Sequence, residues 1–526
     1  MNTLLSPLIR AVRGGEGVVL LPLPGVLAAL MADRIAAFPA LRAHQRHAWH
    51  AFLVQLGAIA MHASGVSEPP TDEAVWRDLL RALTPNDPED HAWSLVAPLN
   101  RPALLQPPIP DGLAALKNDI ATPDALDMLV TAKNHDLKQA AMATARPDDW
   151  LFALLTLQTM EGFLGAGNYG ISRMNGGFAN RAALGRVPPG GPGAHVRRDM
   201  QALLLLRSGI VERNGYAATG GLGLVWLEPW DGTTSISATQ LDPLYIEICR
   251  RVRLIEADGA LSARAGSSKA PRIVPFRGGV TGDPWAPLLR VEKDGSWKAL
   301  TLDARGFDYR RMVDLIFCAG GGRPAPLQEP AADDPPQGMV LLARALVRGQ
   351  GKTEGYHERR VPLSEKVRFF GPKDPTAAAA TERVERAGEI QDRVLRPALL
   401  ALLQNGPDKV DLKRDDPRIR PFLDIFDLDV DRSFFENLWA EMEQDEQTGR
   451  EAARTEWVCR LLAKAGEILD QADKAAPKAT HRRWRARERA RAMLRERARA
   501  MLNCAKWRSD KLRRYLEERK AHDEAA

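Results

Sequence analysis

Along the first 371 positions, apolar residues alternate or run in short stretches broken by glycine and proline. Beyond them the spacing changes to three and four. Gly17-Val18-Val19-Leu20-Leu21 and Leu222-Gly223-Leu224-Val225-Trp226-Leu227 read as strands. Residues 150–160 read as an apolar helical run, and residues 40–61 as an amphipathic helix. Residues 187–193 read as a flexible loop, and residues 320–336 as a surface linker rich in proline and alanine. The run Leu341 to Leu346 fits helix or strand and leads straight into a polar turn, residues 348–353. After Gly371-Pro372-Lys373-Asp374-Pro375 strand patterns vanish. Residues 376–403, 432–443, 445–469 and 479–520 carry apolar stripes at helical spacing, with breaks such as Asn405-Gly406-Pro407. Four such helices bury their stripes most simply against one another. The predicted fold is α+β: a large mixed N-terminal globular domain over residues 1–371, followed by a C-terminal four-helix bundle over residues 376–526.

Composition narrows the function classes. A chain of 526 residues accommodates two to four domains, and 45% hydrophobic with 27% charged residues is usual for a soluble globular protein. No apolar run is long enough to span a bilayer. The opening Met1-Asn2-Thr3-Leu4-Leu5-Ser6-Pro7 lacks the basic and apolar regions of a secretory leader. Cys249, Cys318, Cys459 and Cys504 are widely separated, which excludes a C-x-x-C ribbon or a disulfide framework and fits a reducing cytoplasm. The net charge of +6 is modest for this length. Its concentration in Arg482-Arg483-Trp484-Arg485-Ala486-Arg487-Glu488-Arg489 is more telling, since clustered arginine attracts phosphates. A solvated, salt-bridged helix face explains the same run.

The densest glycine segment is Gly162-Phe163-Leu164-Gly165-Ala166-Gly167-Asn168-Tyr169-Gly170-Ile171-Ser172-Arg173-Met174-Asn175-Gly176-Gly177. Glycines there permit close backbone approach and left-handed conformations. Arg173 adds a positive charge, while Asn168 and Asn175 add donors and acceptors, a combination suited to a nucleic-acid backbone. An ordinary structural turn is the plainer reading. Residues 165–170 also match G-x-G-x-x-G, but a dinucleotide site needs a preceding strand and a following helix, and here a helix precedes. Gly351-Lys352-Thr353 resembles the end of a P-loop, yet Leu346 stands where its first glycine belongs. Glycines on both sides of Gln350 would let that side chain protrude. His44, His47, His50 and His62 share one predicted helix without the glutamate of a zinc protease and without a nearby carboxylate. No catalytic constellation and no metal site are expected. Lys133-Asn134-His135 and the Gly266–Arg272 turn each offer polar contacts, or merely a solvated loop.

Taken together, these pieces resemble the CasA family, the large subunits of type I-E CRISPR surveillance complexes (Cascade). The likeness spans essentially the whole chain. It rests on Asn2-Thr3-Leu4-Leu5, Ala51-Phe52-Leu53-Val54-Gln55-Leu56, Asp127-Met128-Leu129-Val130 leading into Lys133-Asn134-His135-Asp136, and above all residues 167–177. The resemblance implies a subunit without catalysis or cofactor. It implies recognition of the protospacer-adjacent motif of double-stranded DNA through the minor groove, help in opening the duplex, and a docking surface for a helicase-nuclease. The implied partners are the other Cascade subunits, guide crRNA and target DNA, in the cytoplasm and away from membranes. By position, the family's glycine loop falls on Gly165, Ala166, Gly167 and Asn168. Its lysine finger falls on Lys269, with Arg272 as the second choice. Its glutamine wedge falls on Gln350 between Gly349 and Gly351. Its loop against guide RNA and neighbouring subunits falls on residues 130–137, with Val130, Thr131, Lys133, Asn134 and His135. Displaced-strand contacts fall on Arg485, Arg489 and Lys506. Clustered cysteines that some relatives carry before the lysine finger are missing here; Cys249 is followed by Arg250-Arg251-Val252-Arg253, so no structural zinc is expected. Two other classes fit parts of the sequence: a nucleotide-dependent enzyme built around Gly165 or Gly351, and a scaffold without DNA contact.

Overall fold

The computed structural model describes residues 1–127, 142, 144–162, 166–170, 173, 180–318, 320–349, 352–365, 374–476 and 480–503. Contacts divide the chain into two units. The first comprises Met1–Phe307 and Gly320–Leu363, and the second Asp308–Ala319 and Ser364–Ala526.

The first unit is mixed. Its strands are β1 (Ile9–Arg13), β2 (Gly17–Leu21), β3 (Ile35–Ala37), β4 (Asn118–Ile120), β5 (Ala182–Val187), β6 (Leu222–Leu224), β7 (Leu241–Ile246), β8 (Arg251–Ala257), β9 (Ala260–Gly266), β10 (Leu288–Arg290), β11 (Trp297–Ala299), β12 (Val340–Gly349) and β13 (Lys352–Pro362). They form small sheets ordered β2-β1-β3, β13-β12-β5, β4-β9-β8, β10-β11 and β6-β7. Among the described residues, the pairings between these strands are antiparallel except β6 with β7. The ambiguous run at 341–346 is therefore a strand, and it pairs on both sides.

Among the described residues this unit also holds helices α1 (Leu23–Met31), α2 (Arg46–Ala63), α3 (Glu73–Arg81), α4 (Pro147–Met160) and α5 (Pro192–Asn214). Asp72 caps α3 by accepting from the Ala74 and Val75 amides. α5 stops at Gly215, whose φ of 72° is left-handed. Helix α2 is not amphipathic: every residue from His47 to Met61 is buried. Several of the polar residues that gave it a two-faced pattern find partners inside, although His47 Nε2 has none. Gln55 donates to the Leu244 and Tyr245 carbonyls at 3.1 and 2.8 Å. Trp49 packs on Phe52 and Phe152, joining α2 to α4. Residues 320–336 are not a free linker either. Ala325, Leu327 and Gln328 are buried, and the Leu327 amide donates to the Pro284 carbonyl at 3.0 Å. Of the predicted loop 187–193, only residues 188–191 lie between β5 and α5.

The second unit is helical. It holds α6 (Tyr309–Phe317), α7 (Pro375–Ile390), α8 (Arg396–Leu403), α9 (Arg420–Met442), α10 (Gln447–Ala475) and α11 (Thr480–Leu502). A π-helical turn at Gln391–Leu395 joins α7 to α8, so the two form one rod. Pro397 follows that turn; it has no amide to donate and crowds the preceding carbonyls, which is where π-turns are useful. The four rods α7–α8, α9, α10 and α11 pack around Ile390, Leu399, Phe434, Leu438, Trp457, Leu461 and Ile468. The short α6 joins them: Tyr309 packs on Phe434 with ring centroids 5.0 Å apart, and Arg310 pairs with Asp427 at 2.7 Å. The mixed region followed by C-terminal helices is the α+β arrangement predicted from the sequence. No helix among the described residues is long and apolar enough to cross a membrane.

Candidate nucleic-acid interface

Helix α4 delivers the chain into the glycine-rich segment. A helix, not a strand, precedes it, so the dinucleotide-binding geometry is not formed. Ala166 is exposed, Gly167 has a φ of 88°, and Asn168 is half-buried; Gly165 lies outside the described residues. Arg250 ties down both ends of this stretch. Its Nη2 donates to the Gly162 carbonyl at 2.7 Å, and its guanidinium occupies the space a Cβ at Gly170 would need. Arg173, expected as a cation for phosphates, is instead buried. It pairs with Glu247, donates to the Tyr245 carbonyl at 3.1 Å, and lies 4.0 Å above the Tyr245 ring. A buried guanidinium needs such partners, and Glu247 supplies one that the linear sequence does not reveal.

Strand β9 ends at Gly266 and releases the turn carrying Lys269. The Ser268 amide donates to the Gly167 carbonyl at 2.9 Å, so the glycine segment and the lysine turn, a hundred residues apart in sequence, are hydrogen-bonded neighbours. Lys269 is exposed. Arg272 is not a second presented cation. It is 3% exposed, donates to the Glu228 carbonyl at 2.8 Å, and lies 5.7 Å over the Trp230 ring. Burial lowers its pKa to about 10, still charged at neutral pH.

A third segment, residues 231–235, joins this cluster, and the sequence reading missed it. The Asp231 carboxylate accepts from the Thr233 amide at 2.8 Å and the Thr233 hydroxyl at 2.5 Å, which pulls its pKa down to about 2. The Gly232 carbonyl accepts from the Lys269 and Ala270 amides at 2.6 and 3.1 Å, and Ser235 Oγ donates to the Pro271 carbonyl. Asp-Gly-Thr-Thr is a turn signal. Only the fold reveals its neighbour.

Elsewhere, β12 and β13 form a hairpin in which Gly349 pairs with Lys352. Gln350 and Gly351 connect the two strands and lie outside the described residues, as do Val130, Thr131, Lys133, Asn134, His135 and Lys506. A P-loop connects a strand to a helix; here two antiparallel strands flank Gly351, so the nucleotide-binding alternative at that position is not formed. On α11, Arg485 donates to Asp408 Oδ1 at 3.0 Å and Arg489 to the Asp408 carbonyl at 3.2 Å. Arg485 remains exposed. The helix carries nine arginines and two glutamates, so its charge exceeds what Asp408, Asp470 and Asp473 compensate.

The histidines of α2 do meet a carboxylate, contrary to the sequence reading. His50 Nε2 lies 2.8 Å and His195 Nε2 3.3 Å from Asp199 Oδ2, with residues 195 and 199 one turn apart on α5. Trp285 Nε1 and Arg198 Nη1 donate to the same carboxylate at 3.3 and 3.1 Å. The three residues offer metal-type donors, but the two imidazoles are stacked, with centroids 3.9 Å apart and planes 23° from parallel. Both Nε2 atoms face the same carboxylate oxygen, so the two imidazoles and Asp199 form one hydrogen-bonded cluster.

No protein-family model matches the sequence, and no curated protein matches it. Solved structures share the fold. Thermobifida fusca Cse1 superposes with a TM-score of 0.64 at 16% identity, covering 94% of this chain and 98% of that one. Thermus thermophilus CasA (Cse1) gives 0.61 at 17% identity, covering 94% and 99%. A chain of a CRISPR RNA-guided surveillance complex gives 0.59 at 14% identity, covering 94% and 99%. The likeness runs through both units, and at these identities it establishes the fold.

Proposed function

We propose that the chain is a non-catalytic large subunit of an RNA-guided CRISPR surveillance complex. It reads the protospacer-adjacent motif in double-stranded DNA through the minor groove and helps open the duplex so that the guide RNA pairs. The observation that carries this reading is the hydrogen bond between Ser268 and Gly167. It brings a bare, left-handed glycine backbone and an exposed lysine to one place on a fold shared with Cse1. A narrow groove admits a backbone without side chains, and a single cation beside it meets acceptor-rich base edges. Gln350 at the β12–β13 hairpin is the wedge beneath the first base pair. Residues 130–137 face guide RNA and neighbouring subunits, and Arg485, Arg489 and Lys506 attract the displaced strand. The other Cascade subunits, crRNA and a recruited helicase-nuclease are its partners, in the cytoplasm.

The test is duplex binding by the guide-loaded complex, with and without this chain, across a randomised motif beside a fixed target. Adding the chain is expected to create motif dependence. Lys269→Ala and Gln350→Ala are expected to reduce it at least tenfold, the size of one lost base-edge contact. Motif-independent binding in both cases would leave the chain a scaffold.

A further inference from the structure

We propose that Arg251 is the positioning residue of this interface: it sets Lys269 at a fixed place beside the glycine segment without itself reaching DNA. The proposal rests on Gly167 and Lys269 being the duplex contacts described above.

Arg251 opens β8 and pairs in register with Gly266, from which the lysine turn departs. The side chain is 5% exposed, which removes it from direct DNA contact. Its Nη1 donates to the Ser267 carbonyl at 3.2 Å, and its Nη2 points to Asp111 Oδ2 at 3.4 Å. The guanidinium packs into a cradle at Gly232. A Cβ there would stand 3.1 Å from Arg251 Cδ and Nη1 and 3.2 Å from the Ser267 carbonyl, at a φ of 87° that only glycine adopts readily.

Four successive residues of the turn are thereby held through the backbone. Ser267 is held by Arg251, Ser268 by Gly167, and Lys269 and Ala270 by Gly232. The Lys269 side chain is left to solvent, next to the exposed Ser267. Arg250, one position earlier, grips Gly162 and covers Gly170. Two adjacent arginines therefore secure the two contacting segments. A lysine at 251 places one nitrogen where the guanidinium places two, so it cannot hold Ser267 and Asp111 together.

The experiment measures motif discrimination by the guide-loaded complex in a double-mutant cycle of Arg251→Ala with Lys269→Ala. Gly232→Ala is run alongside, and the melting temperature of each free variant is recorded. Arg251→Ala and Gly232→Ala are each expected to lower discrimination about tenfold, the scale of coupled neighbours. Neither should lower it further once Lys269 is alanine. Arg251→Lys should restore only part. Equal losses from Arg251→Ala with or without Lys269, or intact discrimination in both Arg251→Ala and Gly232→Ala, overturn the proposal alone. If Lys269→Ala itself changes nothing, the duplex-contact reading falls and this proposal falls with it.

Discussion

His50 shows how one side chain ties the fold to pH. It is buried beside Asp199, and burial, reinforced by His195 and Arg344, lowers its pKa to about 4. The unfolded chain titrates near 6.5, so between pH 6.5 and 4 it binds the proton that the folded chain refuses. Stability therefore falls as pH drops through that window, by up to about 3 kcal/mol for this one group. His47, whose pKa is also lowered by burial, adds to the slope in the same direction. Urea midpoints taken across this range should decline, and His50→Gln, which keeps a donor for Asp199, should flatten the decline. An unchanged slope in the variant would remove His50 as its cause. At this scale sequence reading is weakest. Arginine is mostly a surface residue and histidine intermediate; what lets Arg173, Arg272 and His50 be buried is a partner far along the chain: Glu247, the Glu228 carbonyl, Asp199. Lys269 is exposed, as its place in a flexible Gly-Ser-Ser turn suggests.

Elements were more legible, since periodicity is local. The strand near 17–21, helix α4 and the C-terminal rods follow from the sequence, whereas 341–346 fits helix or strand alike until its pairing decides. Their boundaries follow less well: α9 begins at Arg420, twelve residues before the predicted start, because its first turns lack a clear stripe. Two glycines separate propensity from packing. Gly388 lies inside α7 with open space around it, so Gly388→Ala should stabilise by about 0.5–1 kcal/mol. Gly193 lies in the first turn of α5, where an added Cβ collides with the Leu30 carbonyl at the end of α1 and stands 2.6 Å from Asp33 Oδ1. Gly193→Ala should destabilise by about 1–3 kcal/mol. Both show as shifts in urea midpoint at constant m. A destabilising Gly388→Ala would mean that the π-turn which follows it requires glycine.

In the whole molecule, the sequence reading places one cut at residue 371, whereas contacts assign α6 to the helical unit from a position inside the mixed one. Its stripe of Tyr309, Met312, Val313 and Ile316 reads equally well as packing on either side, so no local pattern decides the matter. A fragment of residues 364–526 should accordingly gain melting temperature when a peptide of residues 308–319 is added. A Tyr309→Ala, Ile316→Ala peptide should give no gain. No response to the first peptide would detach α6 from the bundle. The arrangement also has a timetable. The Tyr309 hydroxyl faces Asp427, 118 residues later. At roughly 5–20 residues per second, the ribosome takes about 6 to 24 s to supply that partner after Tyr309 is added. For that interval a nascent chain already able to assemble most of its mixed unit carries an apolar segment with no bundle to receive it, which makes residues 309–317 the stretch where a chaperone acting during synthesis should be found bound.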